Sequence, residues 1–273
     1  MYLTKEQLQI YEHEGFLFLP NCFSQAEIAV MKEELPSIFA EDSPRRVLEK
    51  ESNIVRSVYG SHTTNEIAHR LSLHPRLVEP AMQILGSKVY VYQFKINAKA
   101  AFGGDVWEWH QDYVFWCKED GMPTARVTNA VVFLDEVNEF NGPLIFIPGS
   151  HKENVIDTAA REDLPPAYAN SPAWISNLTA SLKYALGKNI IAPLVARSGI
   201  VAPKGPAGSV LFFHANLVHG SATNMSPFDR GIVLITFNSI ENVPLPVEKP
   251  RPEFLASRDC RPVEALPDNV LLL

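Results

Sequence analysis

The spacing of apolar residues in the first part of the chain predicts helices. Residues 4–14 read as one helix, and Ser24 followed three residues later by Glu27 is the signature of a capping box at a second helix start. Apolar side chains then recur at helical spacing as far as Ile38. The chain is therefore expected to open with two helices.

Shorter segments are expected around and after these helices. Residues 16–20 are predicted to form a short strand, and the charged segment 41–58 an irregular loop. Further helices are expected near 63–72 and 75–86, the latter because it opens with a proline, which suits a first helical turn. Residues 1–87 are thus predicted to be a helical N-terminal layer.

From residue 88 the pattern changes to short β-rich runs bounded by Gly, Pro and Asn. These runs cover residues 88–97, 127–137, 144–148, 209–213 and 232–240. Many short strands predict a sandwich or barrel, here over residues 88–243. An insert at 152–196 has helix-like stretches near 159–163 and 176–187. The proline-rich tail 244–273 is expected to run over the surface as an extended arm.

Composition narrows the class of protein. The 273 residues are 46% hydrophobic and 20% charged, which is globular usage, and we expect one domain over residues 1–273. The net charge of −7, with no basic block, argues against nucleic acid as the main partner. No apolar run approaches the roughly 18–20 residues of a membrane helix, and no signal segment is visible, so a cytoplasmic protein is expected. The three widely spaced cysteines favour neither a disulfide framework nor a zinc ribbon.

Candidate chemistry begins at His110 and Asp112. In a strand, residues two apart project to the same face, so these two could present an imidazole and a carboxylate side by side. Either His214 or His219 could supply a third ligand. Two histidines and one carboxylate on one face of iron leave three positions open, as in non-haem Fe(II) oxygenases.

Arg230 lies eleven residues past His219, at the start of a predicted strand. If His219 ends one strand and residues 221–229 form the turn, Arg230 returns beside the metal on the neighbouring strand. A guanidinium there can bind the distal carboxylate of an oxoacid through two parallel hydrogen bonds. This spacing favours His219 over His214.

These features and several further segments resemble the phytanoyl-CoA dioxygenase family of Fe(II)/2-oxoglutarate oxygenases, in particular its ectoine-hydroxylase-like branch. The resemblance runs over residues 3–245 and is carried by residues 89–97, 109–112, 119–123, 141–144, 147–151, 205–209 and 219–221, with Arg230. Within that branch, residues 93–97, 101–105 and 251–253 are most similar to the free L-leucine 5-hydroxylases of nonribosomal peptide biosynthesis.

The resemblance implies a mainly β fold with α-helices: a double-stranded β-helix, or jelly-roll barrel, with the N-terminal helices packed on one sheet. It implies Fe(II), the cosubstrate 2-oxoglutarate and O2. The expected iron ligands are His110, Asp112 and His219, and the expected 2-oxoglutarate contacts are Arg230, Gln93 and Ser221. Halogenating relatives replace the metal carboxylate by a small residue, so Asp112 favours hydroxylation or desaturation over chlorination.

The implied reaction is hydroxylation of a free aliphatic L-amino acid, most closely L-leucine at C5, with release of succinate and CO2. The expected substrate contacts are Arg56, Tyr59, His62 and Trp116. The polar loop around Arg56 and the insert 152–196 are both lid candidates. In the insert, Val155, Ile156 or Tyr168 could line an aliphatic chain.

Other substrates and one other class remain open. Ectoine, isoleucine, methionine and proline are alternatives, since one methylene changes pocket discrimination by only about 1–3 kcal/mol. A non-catalytic cupin-like module that binds metal or oxoacid is the alternative from a different class, and the intact triad with Arg230 speaks against it. The remaining histidines, His13, His69, His74 and His151, are expected to be structural or exposed.

Overall fold

The computed structural model describes residues 1–50, 52–161 and 172–273. Its helices are α1 Lys5–Glu14, α2 Gln25–Ala40, α3 Glu66–Ser72, α4 Pro75–Leu85, α5 Asp112–Asp120 and α6 Lys188–Ser198. Its strands are β1 Phe16–Leu19, β2 Arg46–Leu48, β3 Val55–Tyr59, β4 Val89–Lys99, β5 Trp107–His110, β6 Val127–Phe133, β7 Leu144–Phe146, β8 Val210–His214, β9 His219–Ser221 and β10 Arg230–Ser239.

The strands form two sheets. The larger has seven strands in the order β1-β8-β6-β10-β4-β3-β2, and the smaller has three in the order β5-β9-β7. Neighbouring strands are antiparallel in both sheets. The two sheets remain separate hydrogen-bonded ladders among the described residues.

The two faces of the large sheet pack against different partners. Because side chains alternate along a strand, Val233, Ile235 and Phe237 of β10 point into the core shared with the N-terminal helices. Ile232 and Leu234, between them, join a second cluster that includes Phe146 of the small sheet. Arg230 has the parity of this second set, so β10 directs its side chain toward the space between the sheets.

The predicted helix starts are confirmed by their capping groups. The Ser24 hydroxyl accepts the Glu27 amide hydrogen, and the Glu27 carboxylate accepts the Ser24 amide hydrogen at 2.7 Å. Thr4 and Gln7 form the same reciprocal pair at the start of α1. These pairs satisfy amide groups that a helix terminus otherwise leaves without partners.

Two predictions of secondary structure are wrong. Residues 41–58 are not simply irregular, because they contain β2 and β3, which extend the large sheet beyond β4. In β3 the adjacent polar residues Arg56 and Ser57 are both buried, and their polarity hid the strand. Residues 176–187 form no α-helix; α6 begins at Lys188, where that prediction ended. Of the stretch 159–163, only 159–161 lies in the described residues, and it has no regular structure.

The C-terminal segment 244–273 has no α-helix or strand and ends in a 3-10 turn, Val270–Leu272. It is nevertheless packed, since Leu255 and Leu271 are buried. Among the described residues, none of the helices is both long enough and apolar enough to cross a membrane.

Candidate metal centre and its cavity

Three different elements bring His110, Asp112 and His219 together. His110 ends β5, His219 begins β9, and the two residues lie opposite each other in the small sheet. Asp112 is the first residue of α5, with Gln111 as the N-cap. The expectation that His110 and Asp112 share a strand is therefore wrong. The chain turns between them, and the carboxylate lies at a helix N-terminus, which favours negative charge.

The three side chains converge in a buried cluster. Asp112 Oδ1 lies 3.5 Å from His110 Nε2, and Asp112 Oδ2 lies 3.8 Å from His219 Nε2. One ligand atom from each residue lies within 4.8 Å of the other two. In the described part of the chain, this is the group of His, Cys, Asp and Glu side chains that could hold a metal ion.

The ring orientations of the two histidines suit metal binding. His110 Nδ1 lies 2.6 Å from the Glu108 carbonyl and His219 Nδ1 lies 2.9 Å from the Leu217 carbonyl. A carbonyl only accepts, so each Nδ1 carries a proton, and each Nε2 is the ring nitrogen that faces Asp112 and could bind a metal. Burial, with the charge of His110, lowers the pKa of His219 to about 3. His219 is therefore a neutral ligand at neutral pH.

Asp112 is held ionised and oriented. Burial opposes its charge, but Lys95, His219 and His110 together keep the pKa of the carboxyl well below its usual range. Asn129 Nδ2 donates to Asp112 Oδ2 at 2.8 Å, and Thr236 Oγ1 donates to Asn129 Oδ1 at 2.7 Å. Two imidazoles and one carboxylate are a donor set that suits divalent iron.

His214 takes no part in this cluster. It ends β8, its Nδ1 accepts the Asn216 amide hydrogen at 3.0 Å, and its ring lies 5.1 Å from that of His151. Of the two candidates for the third ligand, the structure brings His219 to Asp112.

Arg230 reaches the same cavity by a route that differs from the expected one. It begins β10 in the large sheet, whereas His219 belongs to the small sheet, so the neighbouring-strand prediction is wrong. Residues 222–229 cross from one sheet to the other. The guanidinium is buried, and it donates to the carbonyls of Gly142 and Asn141. Among the described residues, none of its hydrogen bonds goes to a carboxylate.

Arg230 is nevertheless a cation. Burial lowers its pKa to about 10, partly offset by Asp135, which leaves the guanidinium charged at neutral pH. A buried cation without a bonded carboxylate is unfavourable unless an anion completes the site.

A single cavity joins the triad to Arg230. Its apolar lining is Trp107, Phe115, Trp116, Leu144, Leu178, Leu182, Ile232 and Leu234. Its further polar lining is Tyr59, Gln93, Lys95, Asn97, Asn177 and Arg251.

Of the predicted substrate contacts, Tyr59 and Trp116 line the cavity, whereas Arg56 and His62 do not. The Arg56 guanidinium is paired with Glu49 at 3.1 Å and lies 3.8 Å above the Trp107 ring. It also donates to three backbone carbonyls, so its described hydrogen bonds are made within the protein and not toward the cavity.

His62 stacks on Phe94, with ring centroids 5.2 Å apart, and lines a separate groove beside α3. In the insert, Val155 and Ile156 pack against other clusters and do not line the cavity, where Leu178 and Leu182 lie instead. Tyr168 lies outside the described residues.

Gln93 lines the cavity, but far from Arg230. In the β4–β10 ladder Arg230 is opposite Lys99, and Gln93 is opposite Thr236, six positions further along. At about 3.4 Å per residue this separates their backbones by about 20 Å. Gln93 Nε2 donates to the Leu255 carbonyl at 2.6 Å. The register therefore does not bring Gln93 beside Arg230, and a contact of Gln93 with 2-oxoglutarate stays a prediction.

Ser221 is in a better position. It lies two residues past His219, opposite Leu144 in β7 and near the Gly142 carbonyl that Arg230 contacts. Its buried hydroxyl has no hydrogen-bond partner among the residues that the structure describes.

Four polar cavity residues, Lys95, Asn97, Asn177 and Arg251, were not predicted as site residues from the sequence. For two of them a signal existed: Gln93, Lys95 and Asn97 are polar at alternate positions of a strand that is otherwise apolar. Such a pattern in a buried strand indicates a polar interior. Asn177 and Arg251 have no comparable signal, because each enters the cavity from a segment without repeating structure.

Comparison with known proteins agrees with this site. Residues 11–232 match the phytanoyl-CoA dioxygenase (PhyH) family. The chain is 40% identical over 254 residues to an L-proline trans-4-hydroxylase of Streptomyces griseoviridis, covering 93% of this chain and 92% of the relative. It is 37% identical over 276 residues to an ectoine dioxygenase of Bordetella bronchiseptica, covering 97% of this chain and 87% of the relative.

A solved structure supports the fold. EctD from S. alaskensis with 2-oxoglutarate and 5-hydroxyectoine has a TM-score of 0.81 and 31% identity, covering 97% of this chain and 87% of that one. The same enzyme with bound Fe has a TM-score of 0.79. The expected mainly β, jelly-roll fold is thereby confirmed. Family match, identity and fold agree: the chain belongs to the phytanoyl-CoA dioxygenase family.

Proposed function

We propose that this protein is an Fe(II)/2-oxoglutarate-dependent hydroxylase that acts on an unactivated C–H bond of a free amino acid. One observation carries the proposal. A single cavity contains a two-histidine, one-carboxylate cluster whose Nε2 atoms face the carboxylate, and a buried arginine that bonds no carboxylate among the described residues. A protein that only stores metal has no need of the second feature.

In this proposal His110, Asp112 and His219 hold the iron. Iron, 2-oxoglutarate and O2 supply oxidative decarboxylation of the oxoacid to succinate and CO2, coupled to oxygen insertion into the substrate. The Arg230 guanidinium binds the distal carboxylate of the oxoacid, and the unpartnered Ser221 hydroxyl donates a further hydrogen bond. The protein otherwise excludes water and sets which C–H bond lies nearest the metal.

The substrate half of the cavity suits a small zwitterion with an apolar body. Arg251 is fixed by two hydrogen bonds to Asp120 and is a candidate for the substrate carboxylate. Asn177 has a buried Oδ1 that accepts no hydrogen bond from the described part of the chain, and it is a candidate acceptor for the ammonium group. Leu178 and Leu182 provide an apolar wall. Because these groups come from distant parts of the chain, we treat residues 1–273 as one functional unit.

The amino acid substrate is proposed from the similarity of this chain to known proteins. The relatives are an L-proline trans-4-hydroxylase and an ectoine dioxygenase, so they support proline and ectoine more than the leucine expected from the sequence. We therefore propose proline as the first candidate, with ectoine and leucine tested beside it.

The cofactor assignment is tested without turnover. Under argon, Fe(II) and 2-oxoglutarate should produce the visible charge-transfer band of the chelate in the wild type, and His110→Ala should abolish it. If the wild type itself produces no band, the oxygenase proposal is wrong.

The role of Arg230 is tested by kinetics. Arg230→Ala should raise the KM for 2-oxoglutarate by about 100-fold, and the KM for the amino acid far less, because only the oxoacid loses its charged partner. Equal effects on both values would indicate that Arg230 is merely structural.

The substrate is tested with a panel of proline, leucine, isoleucine, methionine, ectoine and carrier-bound leucine. The true substrate should give succinate and a product heavier by one oxygen atom in equal amounts. A protein that binds iron and oxoacid but hydroxylates none of these would support the binding-module alternative.

A further inference from the structure

Behind Arg230, on the side away from the metal cluster, lies a buried lysine that the proposed chemistry does not use. Lys99 ends β4 directly opposite Arg230 in the β4–β10 ladder, and it is only 1% exposed. Residues directly opposite in an antiparallel pair have neighbouring side chains, and two like charges so placed repel each other. The repulsion between Lys99 and Arg230 opposes folding. A lysine kept at this position therefore requires another role that compensates for the loss of stability.

The contacts of Lys99 show what it connects. Its ammonium Nζ donates to the Asp105 carbonyl at 2.8 Å and to the Ala222 carbonyl. Asp105 lies just before β5, which ends in His110, and Ala222 directly follows β9, which begins with His219. One side chain thus ties together the outer ends of the two strands that carry the histidines of the cluster.

The stem of Lys99 also contacts the loop that holds Arg230. Gly142 has a φ of +69°, and a Cβ built there would lie 2.8 Å from Lys99 Cδ. Gly104 has a φ of +71°, and a Cβ built there would lie similarly close to Lys99. The Gly142 carbonyl accepts a hydrogen bond from Arg230 Nη2. The Lys99 stem therefore packs closely against Gly142, the residue whose carbonyl accepts the hydrogen bond from the guanidinium.

We propose that Lys99 is a positioning residue for the cosubstrate pocket: its stem supports the Gly142 carbonyl that orients Arg230, and its ammonium adds positive charge behind the guanidinium. This inference rests on the proposed function, because it takes 2-oxoglutarate as the anion bound by Arg230. Lys99 itself does not line the cavity and touches no reacting group.

The charges around Lys99 link its protonation to the binding of the anion at Arg230. Burial, with the neighbouring cations Arg230 and Arg56, lowers the pKa of Lys99 to about 6, and Glu49 and Asp105 oppose the shift. A carboxylate arriving at Arg230 favours the ammonium form, so binding of the anion takes up a proton above pH 6. Affinity for the anion should therefore fall as the pH rises from about 6 to 8.

Calorimetry on the Mn(II)-loaded protein tests this without turnover. Titration of 2-oxoglutarate in two buffers of different ionisation enthalpy should reveal proton uptake by the wild type at pH 7.5. Lys99→Met keeps the stem and removes the charge. It should raise the Kd about 10-fold at pH 6 and abolish both the proton uptake and the pH dependence. Lys204→Met, which removes an exposed lysine paired with Glu139, should behave as the wild type.

Kinetics and stability separate positioning from a structural role. With iron present, Lys99→Met should raise the KM for 2-oxoglutarate while changing kcat and the KM for the amino acid less than about 3-fold. A Kd and a pH profile equal to those of the wild type would overturn the inference and leave the proposed function intact. Failure of the wild type to bind 2-oxoglutarate would overturn both. If Lys99→Met does not fold, the wild-type profile decides, and a Kd constant between pH 6 and 8 contradicts the inference.

Discussion

At the scale of single residues, the candidate metal centre depends on hydrogen bonds that the ligands make away from the metal. The Nδ1 atoms of His110 and His219 are satisfied by backbone carbonyls, and the Asp112 carboxylate by Asn129. These contacts select the tautomer of each imidazole and the orientation of the carboxylate before any metal arrives. The ligands are therefore preorganised rather than assembled by the ion.

Replacing Asn129 by Ala should weaken metal binding. The substitution removes the donor to Asp112 Oδ2, and loss of such an outer partner typically lowers metal affinity about 10- to 100-fold. Thr236→Val, which removes only the hydroxyl that orients Asn129, should have a smaller effect in the same direction. Titration with Mn(II) measures both. An Asn129→Ala protein with wild-type affinity would show that Asp112 needs no support.

At the scale of elements, β5 anchors the insert over the cavity. The Glu108 carboxylate accepts hydrogen bonds from the Arg161 guanidinium at 2.7 and 3.1 Å and from the Leu182 amide at 2.9 Å. The Trp109 carbonyl accepts the Leu186 amide hydrogen at 2.7 Å. Leu182 lines the cavity, so the strand that carries His110 also holds one wall of the substrate half.

Replacing Glu108 by Ala should therefore affect the amino acid and not the oxoacid. With its anchor lost, the Leu182 wall shifts, and misplacement by about an ångström can lower reaction efficiency substantially. We expect the KM for the amino acid to rise by roughly 10-fold, with the KM for 2-oxoglutarate and the Mn(II) affinity unchanged. Glu153→Ala, which breaks a surface pair with Arg197, is the matched control. An equal rise in both KM values would contradict this role for the insert.

At the scale of the whole molecule, the C-terminal arm closes the cavity and is held there by one buried ion pair. Arg251 donates to Asp120 at the end of α5, with the Arg251 Nε–Asp120 Oδ1 distance 2.8 Å, and the Tyr92 hydroxyl donates to the same carboxylate. All three side chains are buried. The arm is thus joined to both the helix that begins with Asp112 and the strand that carries Gln93.

Arg251→Met should destabilise the protein strongly. It leaves the Asp120 carboxylate buried without its cation, which typically costs about 3–5 kcal/mol of unfolding free energy. Arg258→Met, which removes an exposed partner of Glu253, should change that free energy by less than about 1 kcal/mol. Urea unfolding followed by circular dichroism measures both. Equal midpoints would show that the arm contributes little to stability.

Local patterns in the sequence were enough to predict much of the secondary structure of this protein. Capping residues and apolar spacing act within a few positions, so the first helices and the main strands were predictable. The residue types at 110, 112, 219 and 230, with the family resemblance, were enough to identify the candidate iron and oxoacid chemistry.

Only the tertiary structure decided how distant strands align. Register along β4 and β10 separates Gln93 from Arg230 and sets Lys99 opposite it. The crossing between sheets determines how Arg230 reaches the cavity, and burial against Glu49 and Trp107 removes Arg56 from the substrate site. These relations depend on contacts between residues far apart in the chain, and no periodicity within one segment encodes them.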